Sequence, residues 1–218
     1  MQAVFLIISA VVVAFSDAVE KTNESEKEHP FWADEGRLGK YQDAWKSLNQ
    51  ENSTVYYLAK ATYENDTGSW GTQFSCLSVK ETQKDEGKKT VVSVFTFWNT
   101  TRTQGEKFTV NETVKATKLY GYQNTSNAIA YIAEGGENMT DPLIFTDGKT
   151  CDIYYAPYAN DGKGGYELWV NAENITNIPS CCMFVLDFFR SPNSTVYDIY
   201  TKKCSNDATS DASSSKTA

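Results

Sequence analysis

From Asp34 to Gln50 the apolar residues Leu38, Tyr41, Ala44, Trp45 and Leu48 recur at spacings of three and four. That spacing predicts one amphipathic helix with a single apolar stripe. After it the period changes to two. Thr54–Tyr63 reads as a strand, and so do residues 72–80, 88–98, 107–122, 127–133, 143–146, 151–156 and 166–171, since alternate side chains of a strand face opposite sides of a sheet. Gly68, Asp85–Gly87, Gly105, Gly135 with Gly136, Asp147 with Gly148 and Asp161 with Gly162 supply the turns between them. A second helix is expected over about Pro179–Arg190, carrying Met183, Phe184, Val185, Leu186, Phe188 and Phe189, and a last short strand over Thr195–Lys202. The chain is therefore mainly β, with about eight antiparallel strands between an N-terminal and a C-terminal helix. Strands at this spacing form a sandwich or a closed barrel. An eight-stranded barrel leaves an interior just wide enough for a small ligand.

The first residues set the compartment. Ala3–Phe15 is an unbroken apolar run, too short to cross a bilayer comfortably, and the small residues Ser16 and Ala18 follow it. Residues 1–18 thus read as a secretory signal peptide, with a membrane anchor as the alternative. Nine Asn-x-Ser/Thr sequons follow, at Asn23, Asn52, Asn65, Asn99, Asn111, Asn124, Asn138, Asn174 and Asn193, and they fit a glycosylated, exported surface. In that compartment the five cysteines, Cys76, Cys151, Cys181, Cys182 and Cys204, read as disulfides with one thiol left over. Residues 19–33 are polar and expected to be loosely ordered, 34–204 to form one domain, and the Ser/Ala/Asp-rich tail 205–218 to be disordered.

Charge and composition narrow the partners. Removal of 1–18 takes away Asp17 and no base, so the formal charge of -8 becomes -7, which argues against nucleic acid or an anionic membrane. The 13 Tyr, 11 Phe and 5 Trp suit a ring-lined pocket. Glu112, Asp152 and Glu167 stand inside otherwise alternating strands. A buried unpaired carboxylate costs several kcal/mol, so either they point outward or the interior is polar. Catalysis finds little support. The single histidine, His29, excludes a multi-histidine zinc site, the cysteines lack paired C-x-x-C spacing, and Gly162-Lys163-Gly164-Gly165 is not a phosphate loop. Paired carboxylates suit glycoside cleavage in principle, but binding already accounts for them. No cofactor is expected.

Several stretches, taken together, resemble the histamine-binding lipocalins of tick saliva. They are Trp32–Glu35, Gln42–Leu48, Val55–Tyr57, Lys60–Tyr63, Lys118–Tyr122, Cys151-Asp152, Gly165–Trp169 and Asn177–Pro179. Cys-Asp followed by Tyr-Glu-Leu-Trp is the most specific of these marks, and the likeness runs from about Trp32 to Cys204. The resemblance implies a lipocalin-type barrel that holds a biogenic amine in up to two internal sites rich in carboxylates and rings. An ammonium leaving water needs a carboxylate partner and further hydrogen bonds, and aromatic faces add cation–π attraction. Carried over by position, one site would use Asp66, Glu112 and Tyr131 with Trp70 as a wall. The other would use Asp152, Glu167 and Trp169, with Tyr63, Ser47 and Glu51 near it, and Asp141 falls where the family also places an acid. Each also has a plainer reading. Trp169, Tyr63 and Tyr131 suit ordinary core, Glu112 a solvated face, and Asp66 a turn before Gly68. Ile129 and Met139 stand where close relatives carry rings.

Histamine is the expected ligand, with serotonin or a lipid mediator as alternatives. Interior acids argue against a lipid, which prefers an apolar cavity. A surface-acting inhibitor of a host protein is the further alternative. The resemblance also implies Cys76–Cys204 and Cys151–Cys182, leaving Cys181. Adjacent helical residues point about 100° apart, so Cys181 would face away from Cys182, and an interchain disulfide joining two copies is expected.

Overall fold

Every second side chain of Thr90–Trp98 is buried, the pattern of a sheet with one wet and one dry face. In the computed structural model, which describes residues 29–66, 69–99, 107–133 and 135–205, that pattern repeats around a closed barrel. The signal segment, Asn23 and residues 206–218 lie outside the described residues. Residues from Trp32 onward form one unit.

Its strands are β1 (Tyr56–Ala61), β2 (Asn65–Asp66), β3 (Gly71–Thr72), β4 (Ser75–Asp85), β5 (Thr90–Trp98), β6 (Phe108–Thr117), β7 (Ala128–Ile132), β8 (Asn138–Thr146), β9 (Cys151–Ala156), β10 (Gly165–Asn171) and β11 (Tyr197–Asp198). Eight of them, β1 and β4 to β10, pair antiparallel in sequence order. β10 then returns to β1, with Leu58 opposite Trp169 and Ala61 opposite Glu167. Closure removes the sheet edges, which would otherwise expose unpaired N–H and C=O groups. The last strand contracts to the two residues of β11, added beside β1 at Lys60 and Ala61. β2 and β3 form a separate hairpin that the alternation does not reveal.

The single N-terminal helix expected over Asp34–Gln50 is instead three short pieces. They are α1 (Glu35–Leu38), a 3-10 turn (Gly39–Tyr41) and α2 (Ala44–Leu48). Gln42 is the reason. It is fully buried, its amide donates to the carbonyls of Trp32 (2.9 Å) and Ile144 (3.1 Å), and its Oε1 accepts from the Tyr122 hydroxyl (2.6 Å). Meeting those partners takes its backbone out of helical geometry, and Asp43 restarts the helix by capping the Trp45 N–H at 3.1 Å. Trp32, counted above with the loosely ordered 19–33, is buried and packs edge-on against Tyr120. The expected strand 107–122 stops at Thr117, because Tyr120 and Gly121 take positive φ in a turn.

Two cores result. Inside the barrel, Tyr63, Trp70, Phe95, Phe97, Tyr131, Tyr154 and Trp169 pack with aliphatic residues such as Leu58 and Leu143. Outside it, α4 (Ser180–Phe189) lays Cys182 and Leu186 onto Ile153, Leu168 and Val170 of β9 and β10. A short turn, α3 (Ala159–Gly162), joins those two strands. The disulfides are Cys76–Cys204 and Cys151–Cys182, the pairings the resemblance implies. They close spans of 128 and 31 residues, worth about 5 and 4 kcal/mol in the chain-entropy model. Cys181 is exposed and in neither bond. Asn52, Asn65, Asn111, Asn124, Asn138 and Asn193 are exposed, and Asn99 and Asn174 half-buried.

Candidate ligand site inside the barrel

Strand alternation turns acids inward. Asn111 is exposed and its neighbour Glu112 buried, as a period of two requires. Glu167 and Trp169, two apart on β10, share the inner face and stand opposite Tyr154 and Asp152 of β9. Asp141 on β8 stands opposite Ile129 of β7. Across three strands Glu81, Ser93 and Glu112 form one row. These side chains line a cavity of about 60 Å³.

The acids fall into two groups. In the first, Glu167 accepts from the Tyr63 hydroxyl and from Trp169 Nε1 at 2.8 Å, so both of its oxygens are engaged. Asp141 Oδ2 accepts from Tyr131 at 2.9 Å and, at 3.5 Å, from Tyr158, whose hydroxyl also meets that of Tyr131 at 3.1 Å. Burial pushes Asp141 well above the ordinary carboxylate range, and the charges of Glu167 and Asp66 push it further. Burial also raises Glu167, against the two hydrogen bonds that favour its ionised form. Buried Asp66 belongs to this group electrostatically, and its Oδ1 accepts the Ser69 N–H at 3.0 Å.

In the second group Asp152 Oδ2 accepts from Ser47 at 2.8 Å, and the Tyr154 hydroxyl donates to Ser47 Oγ at 2.7 Å. Glu81 Oε2 accepts from Ser93 at 2.7 Å, with Glu112 next in the row. Burial raises Asp152 to about 6, opposed by the nearby Thr146 hydroxyl and the Ser47 hydrogen bond. It raises Glu81 to about 7, opposed by Ser93. One carboxylate oxygen at each end, Asp141 Oδ1 and Asp152 Oδ1, is buried with no hydrogen-bond partner. Such groups are rare in folded proteins because each forfeits its solvation without replacement. The arrangement suits a guest that carries N–H donors and positive charge.

Of the residues expected in the site, Ser47, Trp70, Glu112, Tyr131, Asp141, Asp152, Glu167 and Trp169 line the cavity. Tyr63 and Asp66 are buried behind it, Tyr63 through Glu167. Glu51 is not brought in. α2 ends at Leu48, Gln50 reaches the wall instead, and Glu51 is exposed in the next turn. The grouping also differs from that expected. Glu167 stands with Asp141 and Asp66, Trp169 lies between the groups, bonded to Glu167 and opposite Asp152, and Glu112 stands in the row of Glu81. Glu81, Tyr154 and Tyr158 were not singled out. Glu81 continues the inward series Leu77, Val79, Glu81, and was missed because the strand was ended at residue 80.

Gly165 opens β10 beside Tyr63. A Cβ there would lie 2.6 Å from Tyr63 Cδ1, closer than side chains pack, so the bare glycine lets that ring reach Glu167. Among the described residues no His/Cys/Asp/Glu group is arranged for a metal, and no helix is long and apolar enough to cross a membrane.

The family model described as tick histamine binding protein matches residues 32–206. The chain belongs to that family. A relative from Rhipicephalus appendiculatus, the male-specific histamine-binding salivary protein, is 37% identical over 205 residues, covering 92% of this chain and 94% of its own. The female-specific histamine-binding protein 1 of the same tick is 39% identical over 176 residues, covering 80% and 88%. Among solved structures, AM182 in complex with serotonin matches with a TM-score of 0.52 at 20% identity, over 74% of this chain and 91% of that one. H1 crustacyanin from the lobster Homarus americanus matches at 0.52 and 12% identity, over 81% and 90%. At such identities the likeness is one of fold, the lipocalin barrel.

Proposed function

We propose that this protein binds a biogenic amine, histamine first and serotonin as the runner-up, inside the barrel and without turning it over. The observation that carries the reading is the pair of buried, unpartnered carboxylate oxygens, Asp141 Oδ1 and Asp152 Oδ1, at the two ends of an acid- and ring-lined cavity. An ammonium supplies both the donors and the charge they lack, and a charge-assisted hydrogen bond is worth about 1.5–3 kcal/mol. Trp169 and Trp70 present rings to the same space, adding about 0.5–2 kcal/mol by cation–π attraction. The protein is exported into saliva, as the names of its relatives imply for them, and lowers the free amine available to host receptors at the feeding site.

The ligand residues are Ser47, Trp70, Tyr131, Asp141, Glu112, Asp152, Glu167 and Trp169, with Tyr63 and Asp66 supporting them. Calorimetric titration with histamine, serotonin and a lipid panel tests this. Saturable heat with amine and recovery of the amine unchanged are expected. Silence with amines at micromolar protein, with heat from a neutral lipid, would overturn it. Cys181 is further proposed to join two copies by a disulfide. The wild type should run as a dimer without reductant and Cys181→Ser as a folded monomer that still binds amine.

A further inference from the structure

A second concavity lies on the outside of the barrel, away from the acids. Its walls come from three separate stretches: the 3-10 turn and α2 supply Lys40, Asp43, Trp45 and Lys46, the β4–β5 hairpin supplies Lys89, and the loop before β7 supplies residues 124–126. Its volume is about 260 Å³, against about 60 Å³ for the interior cavity. The loop wall is held in place. Glu35 accepts the backbone N–H groups of Gln123, Asn124 and Thr125 at 2.7 Å each, and the Ala44 N–H donates to the Ser126 carbonyl at 2.7 Å. Gly39 allows the approach, since a Cβ there would lie 3.2 Å from Thr125 Oγ1.

The charge of this cleft is opposite to that of the chain. The protein carries a formal -8, yet Lys40, Lys46 and Lys89 all line this cleft, and none forms an ion pair with a described carboxylate. Two of the ammonium groups lie over rings instead, Lys89 over Trp45 at 4.8 Å and Lys40 over Tyr41 at 4.7 Å. The acid in the cleft, Asp43, accepts the Trp45 N–H at Oδ1, and Glu35 nearby accepts three amides; both keep their charge, and the three lysines outnumber them. Lysines that outnumber the acids around one cleft leave an excess of positive charge, and a multivalent anion neutralises it as it gains ammonium N–H donors. We propose that this cleft is a binding site for a compact polyanion bearing two or more phosphate or sulfate groups, separate from the amine cavity.

The test uses the full-length glycosylated protein at 20 mM salt, titrated with inorganic triphosphate, with a heparin-derived disaccharide and with inorganic monophosphate. Saturable binding of triphosphate or of the disaccharide is expected, at least tenfold tighter than monophosphate. Whichever binds identifies the source of the anion. The double variant Lys46→Ala, Lys89→Ala should lose at least tenfold, and 200 mM salt should weaken the wild type by a similar factor through screening. Histamine affinity should not change in that variant, which keeps this test apart from the amine reading. Equal affinity in wild type and variant would overturn the proposal, and so would monophosphate binding as tightly as triphosphate. Asn124 is a sequon on the rim. Binding that appears only in Asn124→Gln would mean that the cleft seats its own glycan, and would overturn the proposal too.

Discussion

The two ends of the cavity hold the same chemistry in different states. Around Asp141, three acids share one neighbourhood and their donors are phenols, an indole and the Ser69 amide. Around Asp152 the donors are the hydroxyls of Ser47 and Ser93, and the acids are held to about 6 and about 7. Glu167, with both oxygens engaged, is a fixed post, and burial with the neighbouring charges raises Asp141 beside it. The lesson is that acid count alone does not set a site's strength. An amine arriving at the Asp141 end meets a carboxyl whose ionisation is opposed by burial and by two neighbouring acids, whereas one arriving at the Asp152 end meets a group raised only to about 6.

The comparison is most exposed to failure in the stability of the empty protein. Folding raises Asp152 from 3.8 to about 6 and Glu81 from 4.5 to about 7. The folded chain therefore holds protons that the unfolded chain would release, and stability falls as pH rises through those windows. Each group contributes on the order of 3 kcal/mol to that fall. Denaturant unfolding of empty protein should give a lower free energy at pH 8 than at pH 5, with histamine restoring the difference. Greater stability at pH 8 would show that these acids are not buried as described.

Next in size are the two open oxygens. Asp141→Asn and Asp152→Asn each keep the shape, remove the charge and point an N–H at the cavity. Each should weaken amine binding at its own end by about 1.5–3 kcal/mol, and if the barrel takes two amines the calorimetric stoichiometry should fall from two toward one. If both variants weaken the same single site, the division into two ends is wrong. Smaller is Trp169→Phe, which keeps a ring but deletes the Nε1–H donor to Glu167. A loss of about 1 kcal/mol in affinity is expected. The smallest is a gain. Ile129 lines the cavity opposite Asp141, and Ile129→Phe should tighten amine binding by about 0.5–1 kcal/mol through cation–π attraction, read as a slower off-rate.

What could be read in advance follows from which signals are local. β5, expected over 88–98, forms over Thr90–Trp98 because its alternation has no competitor. The acids on β9 and β10 were legible for the same reason. Gln42 was not, since its helix-breaking role depends on partners at Trp32, Tyr122 and Ile144, distant in sequence. Asp66 was open to a turn reading because a two-residue strand shows no period. The regrouping of Glu167 with Asp141 depends on barrel curvature, which brings β8 and β10 around one space and which no single strand encodes.

Gly165 carries a consequence for how this gene can drift. Every missense change at a glycine codon installs a larger residue, so no single step there relaxes the contact with Tyr63. A Cβ at that position must move the Tyr63 ring, the ring holds Glu167, and Glu167 faces the guest. In a library of random variants sorted for correct folding and then for amine capture, position 165 should be as depleted as position 167, although it touches no ligand. Searching for this activity in other chains by their acids alone would overlook the one residue whose value lies in having nothing to offer.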